Sequence, residues 1–196
     1  DFVNDYLPAS DKGIDGLRIA IVKEGFEQAP WTDLGLGGSE EAVDESVRAA
    51  AKRLGALGAS VEEVSIPMHI DGAYIFTAII REGATDFMVK GYNTGTNWQG
   101  FYNTGLLDAG ARGFNSRPND LPVTVTPVML MGEYMKRYYH GRYYAKAQNL
   151  RASLVKAYDD VLSDYDVLLM PTIPFQATVM PSPDCSIIEN MSHALN

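Results

Sequence analysis

Ser39, behind the run Gly35-Leu36-Gly37-Gly38, has the setting that first suggests chemistry. A Gly-rich loop entering a helix can hold an anion on its backbone N–H groups, and a serine beside a base can act as a nucleophile. Neither reading is complete here. The run lacks the Lys-Ser/Thr of a phosphate loop and the third glycine of a dinucleotide fingerprint, and Glu40 and Glu41 would repel an anion at that helix end. No Gly-x-Ser-x-Gly elbow occurs, and the available bases, His69, His140 and His193, are scattered with no spacing that brings one to a serine. Ser39 is therefore read as the N-cap of a helix after a flexible loop.

Metal chemistry finds little support. One cysteine, Cys185, and three histidines offer no ligand pair at i, i+3 or i, i+4, so no metal site is assigned. Asp159, Asp160, Asp164 and Asp166 cluster, but the first two fall on a solvent face and the others punctuate a helix–strand turn. Tyr134, Tyr138, Tyr139, Tyr143 and Tyr144, interleaved with Lys136, Arg137, Arg142 and Lys146, resemble an aromatic–basic surface for nucleic acid. The net charge of −9 opposes that reading, and core packing with snorkelling basic stems is expected instead.

The elements that must position these residues follow from periodicity. Leu17–Val22 is a mostly continuous apolar run, the pattern of a strand covered on both faces. Ser39 opens a helix with Val43, Val47, Ala50, Ala51, Leu54 and Leu57 on one face, and Gly58 closes it. Val61–Ile66 reads as a second strand, placed at an edge by Glu62, Glu63 and Pro67. Tyr74–Val89 reads as a helix grouping Ile75, Ile79, Ile80, Ala84 and Phe87. Thr126-Pro127 starts another, broken at Gly141 before a long amphipathic helix from Arg142. Leu154, Val155, Tyr158, Val161, Leu162 and Tyr165 would face the core. A turn at Asp164 leads to a strand at Asp166–Met170, expected as an interior strand and as the core element on which the others depend. Between these, 91–122 is read as a long Gly/Asn-rich loop insertion with aromatics including Trp98 and Phe101. A connection of that length is usually functional.

The fold class is thus α/β, a partial mixed or parallel sheet flanked by helices, with residues 1–196 forming one region. At 196 residues with 46% hydrophobic and 21% charged residues, the chain can bury a full core. The acidic balance argues against a nucleic-acid or anionic-membrane partner. No apolar run approaches the roughly 20 residues that span a bilayer. A single cysteine excludes an internal disulfide and fits a cytoplasmic location. The chain opens at Asp1 without methionine and stops at Asn196 inside a helical apolar pattern (Ile187, Ile188, Met191, Leu195), which reads as a fragment.

Three ordered segments resemble the amidase signature family, with wording close to the bacterial amidases found alongside nitrile hydratases. They are Ile14–Phe26; Val47–Ala51 through Val61–Pro67; and Tyr144–Leu150 through Asp166-Val167-Leu168-Leu169-Met170-Pro171-Thr172-Ile173-Pro174. The likeness covers nearly the whole chain and is weakest across 91–126. It implies the second-half region of a hydrolase that converts carboxylic amides to acids and ammonia, with neither metal nor cofactor. In that family a lysine, a serine on a cis peptide bond and a second serine form the triad, and a Gly-Gly-Ser-Ser-Gly-Gly-Ser loop stabilises the oxyanion. None of these maps onto this chain, so no catalytic residue is assigned and the chain alone is expected to be inactive. The resemblance carries over a substrate-pocket wall, with Phe76 as its substrate-binding candidate and ordinary core packing as the competing account. It further implies a small-molecule amide as partner, the remainder of an amidase chain, and compatibility with a homodimer. The rival from another class is a non-catalytic α/β binding module with the long loop as its partner surface.

Overall fold

The structure, a computed structural model, describes residues 13–26, 39–95 and 100–193, with side chains through 190. Residues 1–12, Trp31, the Gly35–Gly38 run, Trp98 and the His193 side chain lie outside it. The described chain divides into two compact units rather than the single region expected. One comprises residues up to 70 and 154–177, the other 71–153 and 178 onward.

The first unit is built on strand β1 (Arg18–Val22). It pairs in parallel with β2 (Ser60–Val64) on one side and with β3 (Val167–Leu169) on the other, giving the order β2-β1-β3. Ile19 stands opposite both Val61 and Val167, fixing one register across the sheet. Ile19, Ala20, Ile21 and Val22 are all buried. Successive side chains point to opposite faces, so both faces of β1 are covered and the apolar run Ile19–Val22 is explained. Each buried Ile or Val contributes about 1.5–3 kcal/mol.

Helix α1 (Glu41–Ala56) connects β1 to β2. Ala51 packs with Ile21 and Phe26, surrounded by Val47, Val61, Leu169 and Met170. Leu57, expected on that face, is exposed, because the helix ends at Ala56 and the chain turns through Gly58 at φ +106°. The N-cap is Glu40, not Ser39. Its backbone N–H donates to Pro174 O (2.8 Å), and its carboxylate accepts from Gln176, while the Ser39 hydroxyl donates to Asp44 (2.8 Å). β2 lies at an edge as its charges indicate. Among the described residues β3 does not lie in the interior: β1 holds that place, and Val167 is 40% exposed. β3 is also shorter than expected, because the Asp166 carboxylate turns back to accept from the Arg18 N–H (2.9 Å) and its guanidinium (3.1 Å).

The second unit is helical. It contains α2 (Met68–Ala84) from Asp71 onward, a π-turn at Thr85–Lys90, and α3 (Thr104–Ser116). A 3-10 turn (Pro118–Asp120), α4 (Val125–Tyr139), the first part of α5 (Arg142–Leu162) and α6 (Ile187–His193) complete it. The span 91–122 is therefore not a plain loop. Asn103 caps α3 by accepting from Leu106 N (3.1 Å), a signal hidden by Gly105, Gly110 and Gly113 inside the helix. His140 ends α4 in the left-handed region (φ +55°), and Gly141 (φ +79°) completes the break. The tyrosines stack as the i, i+4 spacing indicates, Tyr134 on Tyr138 at 4.8 Å and Tyr139 against Tyr143 at 4.9 Å between centroids. They are exposed rather than core, because this helix face meets no other described element closely enough to bury them.

Gly132 sets the approach of α4 to α2 and the π-turn. A Cβ there would overlap the Arg81 carbonyl oxygen and the Thr85 hydroxyl, which itself reaches Arg81 O (2.8 Å) and Met129 O (3.3 Å). Gly132→Ala is expected to cost about 1–3 kcal/mol through this overpacking, read as a lower urea midpoint. An unchanged midpoint would show that the two backbones do not approach this closely.

Candidate functional site

Two adjoining cavities lie in the second unit. The polar one, about 320 Å³, is walled by Glu82, Asp86, Lys136 and Tyr144, together with Phe87 and Gly95. Glu82 is the unusual member, a carboxylate only 1% exposed on an otherwise apolar helix face. Its Oε1 accepts from Tyr144 N (3.3 Å) at the N-terminal end of α5, and its Oε2 has no partner among the described residues. Asp86, in the π-turn, forms a close ion pair with Lys136 of α4 and a longer contact to Lys90 (3.9 Å). Lys90 in turn meets Glu133 at 2.5 Å. The hydrogen bond to Asp86 raises Lys136 above its usual range, so it stays an ammonium.

The second cavity, about 360 Å³, is predominantly apolar. Phe87, Phe101, Tyr102, Leu106 and Leu107 supply the wall, and Gly95 the backbone edge. The Tyr102 hydroxyl both accepts from Gly95 N and donates to Gly95 O, each at 3.0 Å, fixing the peptide that borders both cavities. Aromatic and branched side chains around a space of this size suit an aryl or aliphatic group, with the polar groups next door able to orient a head group.

A separate polar cluster lies in the first unit, just beyond the C-terminal ends of β1 and β2. Glu24 accepts from Ser65 Oγ (2.5 Å) and Ile66 N (2.8 Å), while His69 Nδ1 meets the Tyr158 hydroxyl at 2.5 Å. Burial pushes the Glu24 carboxyl up, but those hydrogen bonds hold it below the usual carboxylate range. Burial lowers His69, against an opposing pull from Glu24, and raises Tyr158. The histidine is thus kept neutral, as a hydrogen-bonding rather than a charged group.

Of the residues singled out in the sequence, Phe76 projects from α2 with 61% of its surface exposed and lines neither cavity. Ser39 binds an aspartate rather than a histidine. Asp160 pairs with Lys156 and Asp166 with Arg18, and no group of three or more metal-ligating side chains forms among the described residues. No described helix is long and apolar enough to cross a membrane. Glu82, Asp86, Phe87 and Lys136 went unrecognised as site residues in the sequence. An acid among Ile79, Ile80 and Ala84 could have flagged Glu82, whereas no local signal joins Asp86 to a lysine 50 positions away.

Comparison with known proteins bears on the whole chain. A family model described as Amidase matches residues 4–187. An enantioselective amidase of Rhodococcus rhodochrous is 37% identical over 192 residues, covering 98% of this chain and 35% of that protein. The glutamyl-tRNA(Gln) amidotransferase A-subunit of Prochlorococcus marinus (strain MIT 9215) is 31% identical over 176 residues, covering 89% of this chain and 34% of that one. Among solved structures, a bacterial aryl acylamidase of the amidase signature enzymes superposes with a TM-score of 0.65 at 16% identity, over 94% of this chain and 33% of that one. That likeness shows the fold. The chain spans about a third of the length of the curated relatives it matches.

The Glu24–His69–Tyr158 cluster makes stability depend on pH. The folded-state values of His69 and Glu24 are both depressed, so the unfolded chain binds more protons on acidification and stability falls with pH. The loss should begin below about pH 6.5 through His69 and continue below about 4.5 through Glu24. His69→Gln is expected to flatten the limb between pH 7 and 5 in thermal unfolding. A wild-type profile already flat there would refute the assignment.

Proposed function

The chain belongs to the amidase family, and from that premise we propose that it is the C-terminal-half region of an enzyme hydrolysing carboxylic amides to the acid and ammonia. The observation that carries this reading is the 37% identity sustained over 98% of the chain. In this reading the nucleophilic serine, the bridging serine and the lysine lie N-terminal to these residues. The serine oxygen attacks the amide carbon, the C–N bond breaks, ammonia leaves with a proton relayed from the lysine, and water then cleaves the acyl–enzyme ester. The residues in hand would perform no bond-breaking step. They would shape the space in which the acyl group rests.

The apolar cavity bounded by Phe87, Phe101, Leu106 and Leu107 supports that role, since it offers aromatic and branched surface without a buried charge. Phe76, a large exposed ring outside both cavities, is proposed as a separate apolar contact to substrate on a wall that the remainder of the amidase chain would complete. The Rhodococcus relative is named as enantioselective, and discrimination between mirror-image acyl groups would here fall to the same cavity. The partners proposed are a small amide and the remainder of the amidase chain, in a cytoplasmic setting without cofactor.

Ammonia release from aliphatic and aromatic amides tests the reading. The full-length protein is expected to turn over, and residues 1–196 alone to release nothing. Turnover by residues 1–196 alone, or silence from the full-length protein across both amide classes, would overturn it. Phe76→Ala in the full-length protein is expected to raise KM about three- to tenfold with kcat little changed, the pattern of a lost apolar contact made equally in ground and transition states.

A further inference from the structure

Phe87 borders both cavities of the second unit, and apart from Gly95 no other described residue is common to their walls. Because Gly95 carries no side chain, Phe87 supplies the one side chain, among the described residues, that lines both a polar space of about 320 Å³ and an apolar space of about 360 Å³. Its backbone is firmly held. Phe87 O accepts from Asn93 N (2.8 Å) and the preceding Asp86 O from Gly91 N (2.8 Å), closing the π-turn at its C-terminal end. The Asp86–Lys136 pair and the Lys90–Glu133 pair tie that turn to α4 on either side of Phe87. Gly95, which borders the same two cavities, is clamped by the Tyr102 hydroxyl through both its N–H and its C=O.

We propose that Phe87 is a specificity-determining residue, a partition that limits how long an acyl group the site accepts. Single-ring aryl groups and short branched aliphatic groups fill the apolar cavity. Longer, rigid acyl groups are stopped by the ring, because the hydrogen bonds and ion pairs behind it hold its backbone in place. Removing the ring joins the two spaces into one elongated site whose far end carries Glu82, Asp86 and Lys136. An acyl group long enough to cross would find hydrogen-bonding groups there rather than more apolar surface. This assignment rests on the reading of the apolar cavity as the acyl pocket.

The test uses the full-length protein with benzamide and biphenyl-4-carboxamide, measuring both hydrolysis and equilibrium binding by calorimetry. Phe87→Ala is expected to improve KM and Kd for the biphenyl amide relative to benzamide by about tenfold, equivalent to about 1.4 kcal/mol. Phe87→Trp should move the ratio the other way. A binding ratio unchanged in both folded variants overturns the partition, whatever the catalysis. If no form of the protein releases ammonia yet the binding ratio shifts as stated, the amidase reading falls and the partition stands.

Discussion

Strand β1 imposes the condition that the first unit has to meet. Its four consecutive buried residues leave both faces and both edges in need of partners, since a buried backbone N–H or C=O left unpaired costs about 1–3 kcal/mol. Two parallel neighbours drawn from distant parts of the chain satisfy the edges. α1 and Phe26 cover one face through Ile21 and Ala51. Because β2 and β3 lie far apart in sequence and flank β1 on opposite sides, β1 alone determines their register. The Arg18–Asp166 pair adds alignment more than energy, since both side chains face solvent. It couples the first residue of the central strand to the residue before β3, which is where a slip would begin.

The second unit has no sheet among its described residues and relies on close backbone approach instead. Gly132 lets α4 settle against Arg81 and Thr85, and this brings Lys136, one turn further along, within reach of Asp86. The same neighbourhood buries Glu82 against the start of α5. Packing and site are thus one arrangement: the crossing that excludes a methyl group also lines up the charges around the polar cavity. A buried carboxylate with one oxygen unpartnered is costly. Such a group persists where surrounding structure compels it, and here α2, α4 and α5 supply that compulsion.

Much of the first unit was legible in the sequence. The apolar run at Leu17–Val22, the helix closed at Gly58 and the charged edge strand all reflect local patterns that tertiary structure then respected. The position of β3 was not legible, because a short apolar run carries no information on how many neighbours it will have. α3 escaped notice since Gly105, Gly110 and Gly113 lower helix propensity, while the Asn103 cap that offsets them is a single residue. The faces of α4 and α5 misled for another reason: Tyr134, Tyr138, Val155 and Leu162 have the spacing of core residues but remain exposed. At the site, Phe76 drew attention through the family resemblance, whereas Phe87 looked like one more member of an apolar helical face. Its placement comes from a change in winding at Thr85 that no residue type announces.

That change in winding has an evolutionary corollary. A π-turn holds one residue more than the α-turn it replaces. Deleting a single codon at or before Phe87 within Thr85–Lys90 would return the segment to ordinary winding, changing which residue occupies each place in the turn while the chain on either side keeps its orientation. The aromatic ring would then leave its post altogether, an outcome that no point substitution at one position can reproduce. Descendants of this scaffold could therefore diverge in ligand choice by gaining or losing one amino acid here, with the surrounding helices kept as they are.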